Sequence, residues 1–301
     1  MKVFLGKIYQ KISPILGVLD HASKLKSPRE NKYIFIISKP RSGSTITYQI
    51  LASALDCIYF SNLSNVMYST PYLGGSLMAR KENHLSHFKS KLGFVDGIYG
   101  EAEGLTFWNY WAGMDIFENE KINKKGLVKL FSRLDKVDTN GKPFLFCYLP
   151  HIFYQKYLIE VLGDRAIFIK LERDLLSTAH SLYNASPNAL MSVQNKVMLE
   201  HSDKTMYTKI VYQLYILSKR MYQVDHQEIK IKYEKLCCNV HQILRRVHAE
   251  LRDYNVPCHL DLAGIPDKLN FNLLDRTTSV HTNHLHEAIT LINELNDNTI
   301  E

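Results

Sequence analysis

Cysteine is scarce in this sequence, and its pattern argues against two kinds of stabilised scaffold. The 301 residues include five cysteines, of which Cys237 and Cys238 are adjacent, and no C-x-x-C motif occurs. An odd count without paired spacing argues against a disulfide framework and against a structural zinc site. We therefore expect reduced, mostly buried thiols, as in a cytoplasmic protein.

Long apolar runs are also missing. A membrane-spanning helix needs about 20 apolar residues, and one of the more apolar stretches, residues 143–157, is broken by Pro150 and His151. Residues 1–20 are basic and apolar, but lysines interrupt the apolar segment that a secretory signal needs. Their apolar residues can line one helical face. We expect this N-terminal segment either to dock on the domain or to contact the inner face of a membrane peripherally.

No dense run of Lys or Arg occurs, so the sequence does not suggest a nucleic-acid-binding protein. Lys and Arg number 37 against 30 Asp and Glu, which gives a net charge of +7. This modest excess suits an anionic ligand or a chain that works near acidic lipid or glycan. It equally suits a protein that is simply basic. Hydrophobic residues make up 46% of the chain, which argues against disorder and allows one large core.

Strand-like and helix-like apolar patterns alternate along much of the chain. Tyr33–Ser38 is a short run of β-forming residues, and further strands are predicted at residues 144–149, 166–171 and 229–233. Apolar residues at helical spacing predict helices at residues 45–55, 151–162, 175–183, 205–222 and 239–251. This alternation predicts an α/β fold in which helices flank both faces of a parallel β-sheet.

The stretch PRSGST at residues 40–45 joins the first predicted strand to the first predicted helix. A loop that closes onto a helix N-terminus directs several N–H groups and the positive end of the helix dipole at one place, which favours an anion. Gly43 permits close approach of the backbone, Arg41 adds a fixed charge, and Ser44 and Thr45 add hydroxyl donors. The motif G-x-x-x-x-G-K-[ST] of nucleoside triphosphatases is absent, since neither its first Gly nor its Lys is present. The alternative is an ordinary strand-to-helix turn.

A second motif lies about 130 residues later. Arg173 follows a predicted strand, at the edge where α/β sheets place ligand-binding groups. Ser181 comes eight residues later, just over two helical turns further on. If the helix folds back along the sheet, both side chains reach one phosphate. The alternative is a surface pair of Arg173 with Asp174 and an incidental helix serine.

Together these motifs resemble the phosphate-binding motifs of sulfotransferases that use PAPS (3′-phosphoadenosine 5′-phosphosulfate). Many members have Lys where this chain has Arg41, and Arg is similar to the bacterial, carbohydrate and tyrosylprotein branches. The resemblance implies a P-loop-like nucleotide-binding fold in which Arg41 and the loop N–H groups hold the 5′-phosphosulfate. It also implies that Arg173 and Ser181 hold the 3′-phosphate. The cofactor-binding residues expected from the loop and from this resemblance are Arg41, Ser42, Gly43, Ser44, Thr45, Arg173 and Ser181.

A weaker likeness lies at residues 233–236, where YEKL resembles the family's Y-E-D-L segment. It implies that Tyr233 lies near the adenine, and a strand-end tyrosine packed in the core is the alternative. We interpret residues 1–301 as a single sulfotransferase-like domain. Its nucleotide core lies at about 31–60 and 143–255, a helical and loop-rich acceptor-binding insertion at about 61–142, and a C-terminal segment at 256–301.

Transfer of a sulfuryl group to a hydroxyl needs a base for the hydroxyl proton. The insertion offers Glu101 and Glu103 among glycines and aromatic residues, surroundings that raise the pKa of a carboxyl group. The segment from Glu103 onward loosely resembles a His-Glu pair followed by aromatics in bacterial sulfotransferases, although Ala102 replaces the His. We choose Glu103 as the base, beside Arg41 as the second catalytic residue, and the alternative is that Glu103 only orders a loop. His84, His87 and His151 are the other candidates for the base.

No metal-ligand spacing is convincing, because His281, His284 and His286 are better explained by a solvated C-terminal segment. We therefore expect PAPS as co-substrate and PAP (adenosine 3′,5′-bisphosphate) as product, without a metal. The partner is a hydroxyl acceptor, either a small molecule or a carbohydrate, glycan or glycolipid, and not a nucleic acid. Two alternatives stay open: a P-loop kinase or nucleotide hydrolase with a degenerate loop, and a non-catalytic nucleotide- or glycan-binding protein.

Overall fold

The computed structural model describes residues 27–80, 86–89, 93–114, 122–185 and 205–270, together with Asp20, Glu287, Ile289, Thr290 and Asn293. The predictions for the N-terminal segment, for His84 and for the three C-terminal histidines lie outside these residues. Within them, no helix is both long enough and apolar enough to cross a bilayer.

Five parallel strands form one sheet in the order β2-β3-β1-β4-β5. The strands are β1 (Tyr33–Ser38), β2 (Ile58–Tyr59), β3 (Phe144–Cys147), β4 (Ala166–Glu172) and β5 (Glu228–Lys232). Every residue of the central strand β1 is buried, and Tyr33 lies beside Phe144 of β3 and Ala166 of β4. A strand covered on both faces needs the continuous apolar run that predicted β1. The predicted α/β fold class is confirmed.

Helices flank this sheet and provide the crossover connections that parallel strands require. They are α1 (Ser44–Ala54), α2 (Asn62–Val66), α3 (Pro71–Ala79), α4 (Leu105–Ala112), α5 (Lys124–Leu134), α6 (His151–Leu162), α7 (Leu175–Ala185), α8 (Met206–Met221), α9 (Tyr233–Cys238) and α10 (Val240–Asp253). The strands and helices predicted outside the insertion are all present, with ends shifted by at most two residues.

The region between β2 and β3 is more regular than the sequence indicates. We expect long loops and short helices there, and the described residues of this region include four short helices, α2 to α5. Helix α5 is amphipathic, and Leu127, Leu130 and Leu134 are buried on one face. The solvent-exposed face of α5 is rich in lysine, and Gly126 lies in its first turn. The helical spacing of its apolar residues is therefore weak in the sequence.

Two further differences concern short elements. Strand β2 has two residues, too few to show a periodicity, and becomes a strand by pairing with Phe144 and Leu145 of β3. Strand β5 ends at Lys232, so Tyr233 is the first residue of α9 and not the end of a strand. This shift aims the Tyr233 ring along the carboxyl edge of the sheet.

Candidate active site

The phosphate loop (residues 40–45) closes directly onto the N-terminus of α1. Gly43 is the N-cap residue with φ of 87°, in the left-handed region, and Arg41 also has a positive φ of 61°. The first intrahelical bond runs from the N–H of Thr47 to the carbonyl of Gly43 at 3.0 Å. The N–H groups before Thr47 therefore have no partner inside the helix. No acidic residue lies in the first turn of α1, so these donors and the helix dipole favour an anion.

The loop hydroxyl groups point in different directions. Ser42 is fully buried, its N–H donates to the carbonyl of Lys39 at 3.3 Å, and its Oγ has no partner among the described residues. The hydroxyl of Ser44 hydrogen-bonds to the thiol of Cys147. Thr45 is half-buried. Ser42 therefore lies inside the loop, Ser44 is buried against Cys147, and only Thr45 of the three is partly exposed.

Gly43 lies directly under the ring of Tyr233. A Cβ atom added to Gly43 would lie 2.1 Å from Cε2 of Tyr233, far inside contact distance. Only glycine therefore combines the left-handed backbone with this close approach. Burial raises the pKa of Tyr233 to about 12, so its phenol stays neutral at physiological pH. The two residues bring the start of α9 onto the phosphate loop.

Arg173, which follows β4, contacts both the phosphate loop and the Tyr233 ring. One of its Nη atoms donates to the backbone carbonyl of Arg41 at 2.7 Å, and its guanidinium lies 5.0 Å from the centre of the Tyr233 ring. The next residue, Asp174, caps the start of α7 by accepting from Ser177, and its own N–H donates to Glu234 at 3.0 Å. Glu234 therefore ties β4 to α9 and holds the Arg173 backbone in place.

The side chain of Ser181 also lies at the phosphate loop, as its spacing of eight residues from Arg173 predicts. The Nε of Arg41 donates to the Oγ of Ser181 at 3.4 Å. Both side chains are at least partly exposed, so neither is committed to the core. The structure therefore brings together Arg41, Gly43, Arg173, Ser181 and Tyr233, residues that come from three distant parts of the sequence.

An open cavity of about 810 Å³ lies at the phosphate loop. Its size is typical of sites for drug-sized ligands. It is lined by Pro40, Arg41, Gly43, Ser44, Thr45, Ile46, Gln49, Phe88, Lys89, Gly93, Glu103, Leu149, Tyr233, Leu269 and Asn270. The cavity wall therefore combines the loop and α1 with residues of the insertion and with Leu149, Tyr233, Leu269 and Asn270.

Glu103 lines this cavity from the insertion side. Its carboxyl group is half-buried, and burial raises its pKa from the ordinary 4.5 to about 7. No hydrogen bond to Glu103 occurs among the described residues. Glu101 behaves differently, because it is buried away from the cavity and accepts a hydrogen bond from the Ser86 hydroxyl at 3.5 Å. Of the two carboxylates, Glu103 is the one that lines the cavity.

The histidine candidates are less well positioned. His151 is fully buried between Phe35, Trp108 and Tyr148, with ring centres 4.4–5.3 Å away, and it does not line the cavity. Burial lowers the pKa of His151 to about 3, so its ring stays neutral. His87 is exposed and also lies outside the cavity lining.

Sequence reasoning missed several residues at this site. Lys39 is almost fully buried, donates to the Ser218 hydroxyl of α8 at 2.9 Å, and has a pKa lowered by that burial. Gln49 of α1 donates to the carbonyl of Lys89 at 3.2 Å, which holds the Lys89 segment at the cavity wall. Lys39 adjoins the motif and could have been included, whereas nothing in the sequence links Lys89 to α1. Among the described residues, no group of three or more His, Cys, Asp or Glu could hold a metal ion.

Comparisons with known proteins identify the family and a similar fold. Residues 33–252 match the sulfotransferase family. The fold is similar to the crystal structure of sulfotransferase STF9 from Mycobacterium avium, with a TM-score of 0.50, 15% identity, and coverage of 85% of this chain and 74% of that one. Sulfotransferase STF1 from Mycobacterium tuberculosis H37Rv gives a TM-score of 0.46, 11% identity, and coverage of 84% and 73%. No curated protein is detectably similar in sequence. Because the family match spans most of the chain, this protein belongs to the sulfotransferase family.

Proposed function

We propose that this protein transfers a sulfuryl group from PAPS to a hydroxyl of a carbohydrate, glycan or glycolipid. The observation that carries the proposal is the convergence of Arg41, Arg173 and Ser181 at the N-terminus of α1. Two cations, a hydroxyl and a helix N-terminus form a site for more than one phosphate group. A nucleotide with a 5′-phosphosulfate and a 3′-phosphate has that charge distribution.

The residues present fit such a nucleotide. The N–H groups at the start of α1 and the Arg41 guanidinium would bind the 5′-phosphosulfate. Arg173 and Ser181 would bind the 3′-phosphate, and the Tyr233 ring offers an apolar face for the adenine. Arg41 already contacts Ser181, so its guanidinium lies between the two expected phosphate positions.

In the proposed reaction, the acceptor oxygen bonds to sulfur while the bond from sulfur to the 5′-phosphate oxygen breaks. The proton of the acceptor hydroxyl passes to the Glu103 carboxylate, and PAP is released. Negative charge builds on the leaving phosphate oxygen, where Arg41 and the α1 N–H groups stabilise it. A carboxyl group with a pKa near 7 is suited to accept a proton at neutral pH. No step in this scheme needs a metal ion.

The acceptor class and location are parts of the same proposal. The cavity is open and has polar and charged groups at its wall, which suits a sugar hydroxyl better than a fully apolar acceptor. All five cysteines are free thiols, which supports a cytoplasmic protein. A basic N-terminal segment further supports peripheral contact with the inner face of a membrane.

Isothermal titration with PAP, in the presence of EDTA, is the first test. We expect PAP to bind without Mg²⁺ and more tightly than 5′-AMP. Binding of ATP only in the presence of Mg²⁺ would instead favour a kinase or nucleotide hydrolase. Turnover of PAPS with carbohydrate acceptors is the second test. PAP binding without turnover on any acceptor would indicate a binding protein that has kept only the fold.

A further inference from the structure

Exposed apolar side chains are concentrated on the acceptor side of the cavity. Among the described residues, seven of the ten exposed large apolar side chains come from α2, α3, α4 and residues 93–100. Phe94 is 80% exposed and Ile98 is 58% exposed, although both are of types that proteins usually bury. Clustered apolar side chains of this kind mark interaction surfaces, whereas isolated ones need no explanation.

The outer face of this region has few charged groups. Residues 93–114 contain three Asp or Glu side chains and no Lys or Arg, and of the three only Asp96 is exposed, since Glu101 is buried and Glu103 lines the cavity. Helix α4 has the sequence LTFWNYWA and exposes Leu105, Thr106, Asn109 and Tyr110 on one face. A surface helix normally has charged residues on its wet face. An uncharged, partly aromatic face is suited to an environment other than bulk water.

The loop of residues 93–100 holds its apolar side chains outward on a fixed backbone. The side chain of Asn62 donates to the carbonyls of Val95 at 2.9 Å and Gly97 at 2.7 Å. The N–H of Leu63 donates to the carbonyl of Ile98 at 2.8 Å, and the hydroxyl of Tyr59 donates to the carbonyl of Tyr99 at 2.8 Å. The exposure of Phe94 and Ile98 therefore belongs to an anchored loop.

This surface is continuous with the reaction cavity. Gly93, which precedes Phe94, lines the cavity, and Glu103 lies two residues before Leu105. The loop and α4 both contact the α2 region, where the Tyr68 and Tyr110 rings are 5.1 Å apart. Exposed Lys89 at the cavity wall adds a cation beside this largely apolar face.

We propose that this face, defined by Phe94, Ile98, Tyr99, Leu105 and Tyr110, docks on a lipid bilayer and opens the cavity toward the headgroup layer. Apolar loop tips with tyrosines at their edge are the side chains that insert at the boundary between headgroups and acyl chains. A bilayer accepts protruding side chains without a complementary surface. Lys89 offsets Asp96 on this side of the molecule, and the net charge of +7 favours a bilayer that contains anionic lipid.

The docking surface deepens the proposed function, and its link to the acceptor rests on that function. A cavity mouth held at the headgroup layer gives Glu103 access to hydroxyl groups of membrane-anchored acceptors, such as glycolipids. The residues that define this surface lie outside residues 1–20 of the sequence, so substitutions can test the two contacts separately.

The test is flotation of the full-length chain with phosphatidylcholine vesicles, with and without phosphatidylglycerol. We expect the wild type to float with the vesicles, more strongly when the anionic lipid is present. The double substitution Phe94→Ser and Ile98→Ser should reduce partitioning about tenfold or more, because two large apolar side chains no longer leave water. The matched control is Val128→Ser on α5, which removes a side chain 52% exposed elsewhere on the molecule and should leave partitioning unchanged.

Thermal unfolding and PAP titration of each variant show that its fold and nucleotide site are intact. Equal flotation of the double variant and the wild type would overturn the proposal, as would a wild type that binds neither kind of vesicle. A wild-type dimer that the double substitution dissociates, with no change in flotation, would identify a protein interface instead. PAP titration decides the nucleotide site independently. Flotation without PAP binding would therefore leave the docking surface standing and count against the proposed function.

Discussion

A guanidinium nitrogen of Arg173 donates a 2.7 Å hydrogen bond to the backbone carbonyl of Arg41. This bond joins the end of β4 to the phosphate loop at the residue whose backbone has a positive φ. Arg173 is therefore both a candidate ligand for phosphate and a support for the loop. Experiments on this residue have to separate the two effects.

We expect Arg173→Ala to weaken PAP binding by about 2–3 kcal/mol, the scale of a charge-assisted contact to phosphate. The loss for 5′-AMP should be much smaller, because that ligand lacks the 3′-phosphate and loses only loop support. Ser181→Ala is the matched control, since it removes a predicted 3′-phosphate contact and leaves the bond between Arg173 and the loop intact. Titration calorimetry with both nucleotides makes the comparison. Equal losses for PAP and 5′-AMP in Arg173→Ala would show that Arg173 does not bind the 3′-phosphate.

Arg41→Ala should abolish sulfuryl transfer without unfolding the chain, because the Arg41 side chain is exposed at the cavity. The guanidinium contributes most when charge builds on the leaving phosphate, so the loss should fall mainly on kcat. Arg41→Lys should keep partial activity, because lysine retains the positive charge and loses only the bidentate hydrogen bonding of the guanidinium. Steady-state kinetics with PAPS measures both. Turnover near wild type in Arg41→Ala would contradict this role.

Glu103→Gln should leave PAP affinity unchanged and lower turnover by roughly 100-fold or more, the scale expected for loss of a general base. Glu101→Gln is the control, because Glu101 is buried against Ser86 and should affect turnover much less. If both variants turn over like the wild type, Glu103 only orders its loop.

The pH dependence of Glu103 has a defined sign. Burial raises its pKa to about 7, and the ionised form is the base, so kcat/KM should rise with pH and level off above about 7. Its effect on stability runs the other way. The pKa of Glu103 is about 4.5 in the unfolded chain and about 7 in the folded one. The contribution of Glu103 to the free energy of unfolding is therefore fully present below pH 4.5 and is lost as the pH rises through about 7. Thermal unfolding of Glu103→Gln should lack this decline.

Gly43→Ala should strongly impair PAP binding, because the new Cβ would lie 2.1 Å from the Tyr233 ring. Tyr233→Ala in the same chain should restore part of the loss by removing the clash, although the left-handed backbone would still cost about 1 kcal/mol. A double-mutant cycle on PAP affinity and unfolding free energy measures this coupling. Simple additivity of the two substitutions would show that the ring does not lie over the loop.

His151→Phe should leave turnover unchanged, because the ring faces Phe35 and Trp108 and not the cavity. Burial lowers the pKa of His151 to about 3, so its neutral form stabilises the fold above pH 6.5, and this contribution is lost as the pH falls toward 3. The Phe variant should lose less stability than the wild type over that range. A large fall in turnover would return His151 to the list of candidate bases.

The sequence predicts the nucleotide half of the fold well because its signals are local. The buried runs of β1 and β4 and the glycine-containing turn at Gly43 are each visible within a dozen residues. Their roles in nucleotide binding stay predictions that the titrations above can test. The insertion is harder to predict, because α5 and β2 become ordered through contacts that sequence periodicity does not show. The cavity wall at Lys89 depends on a hydrogen bond from Gln49, forty residues away, which no local pattern indicates.

The contact between Gly43 and Tyr233 has a consequence for folding. The cavity needs the loop after β1, the end of β4 and the first residue of α9 at the same time, and these segments are separated by more than fifty residues in the chain. The strands that carry these segments pair in parallel, β1 with β4 and β4 with β5, and non-local pairing of this kind is slow to form. A partly folded chain therefore lacks the complete cavity. If the proposed nucleotide binds there, its affinity reports on completion of the sheet, and its binding to the native state alone stabilises the fold by mass action.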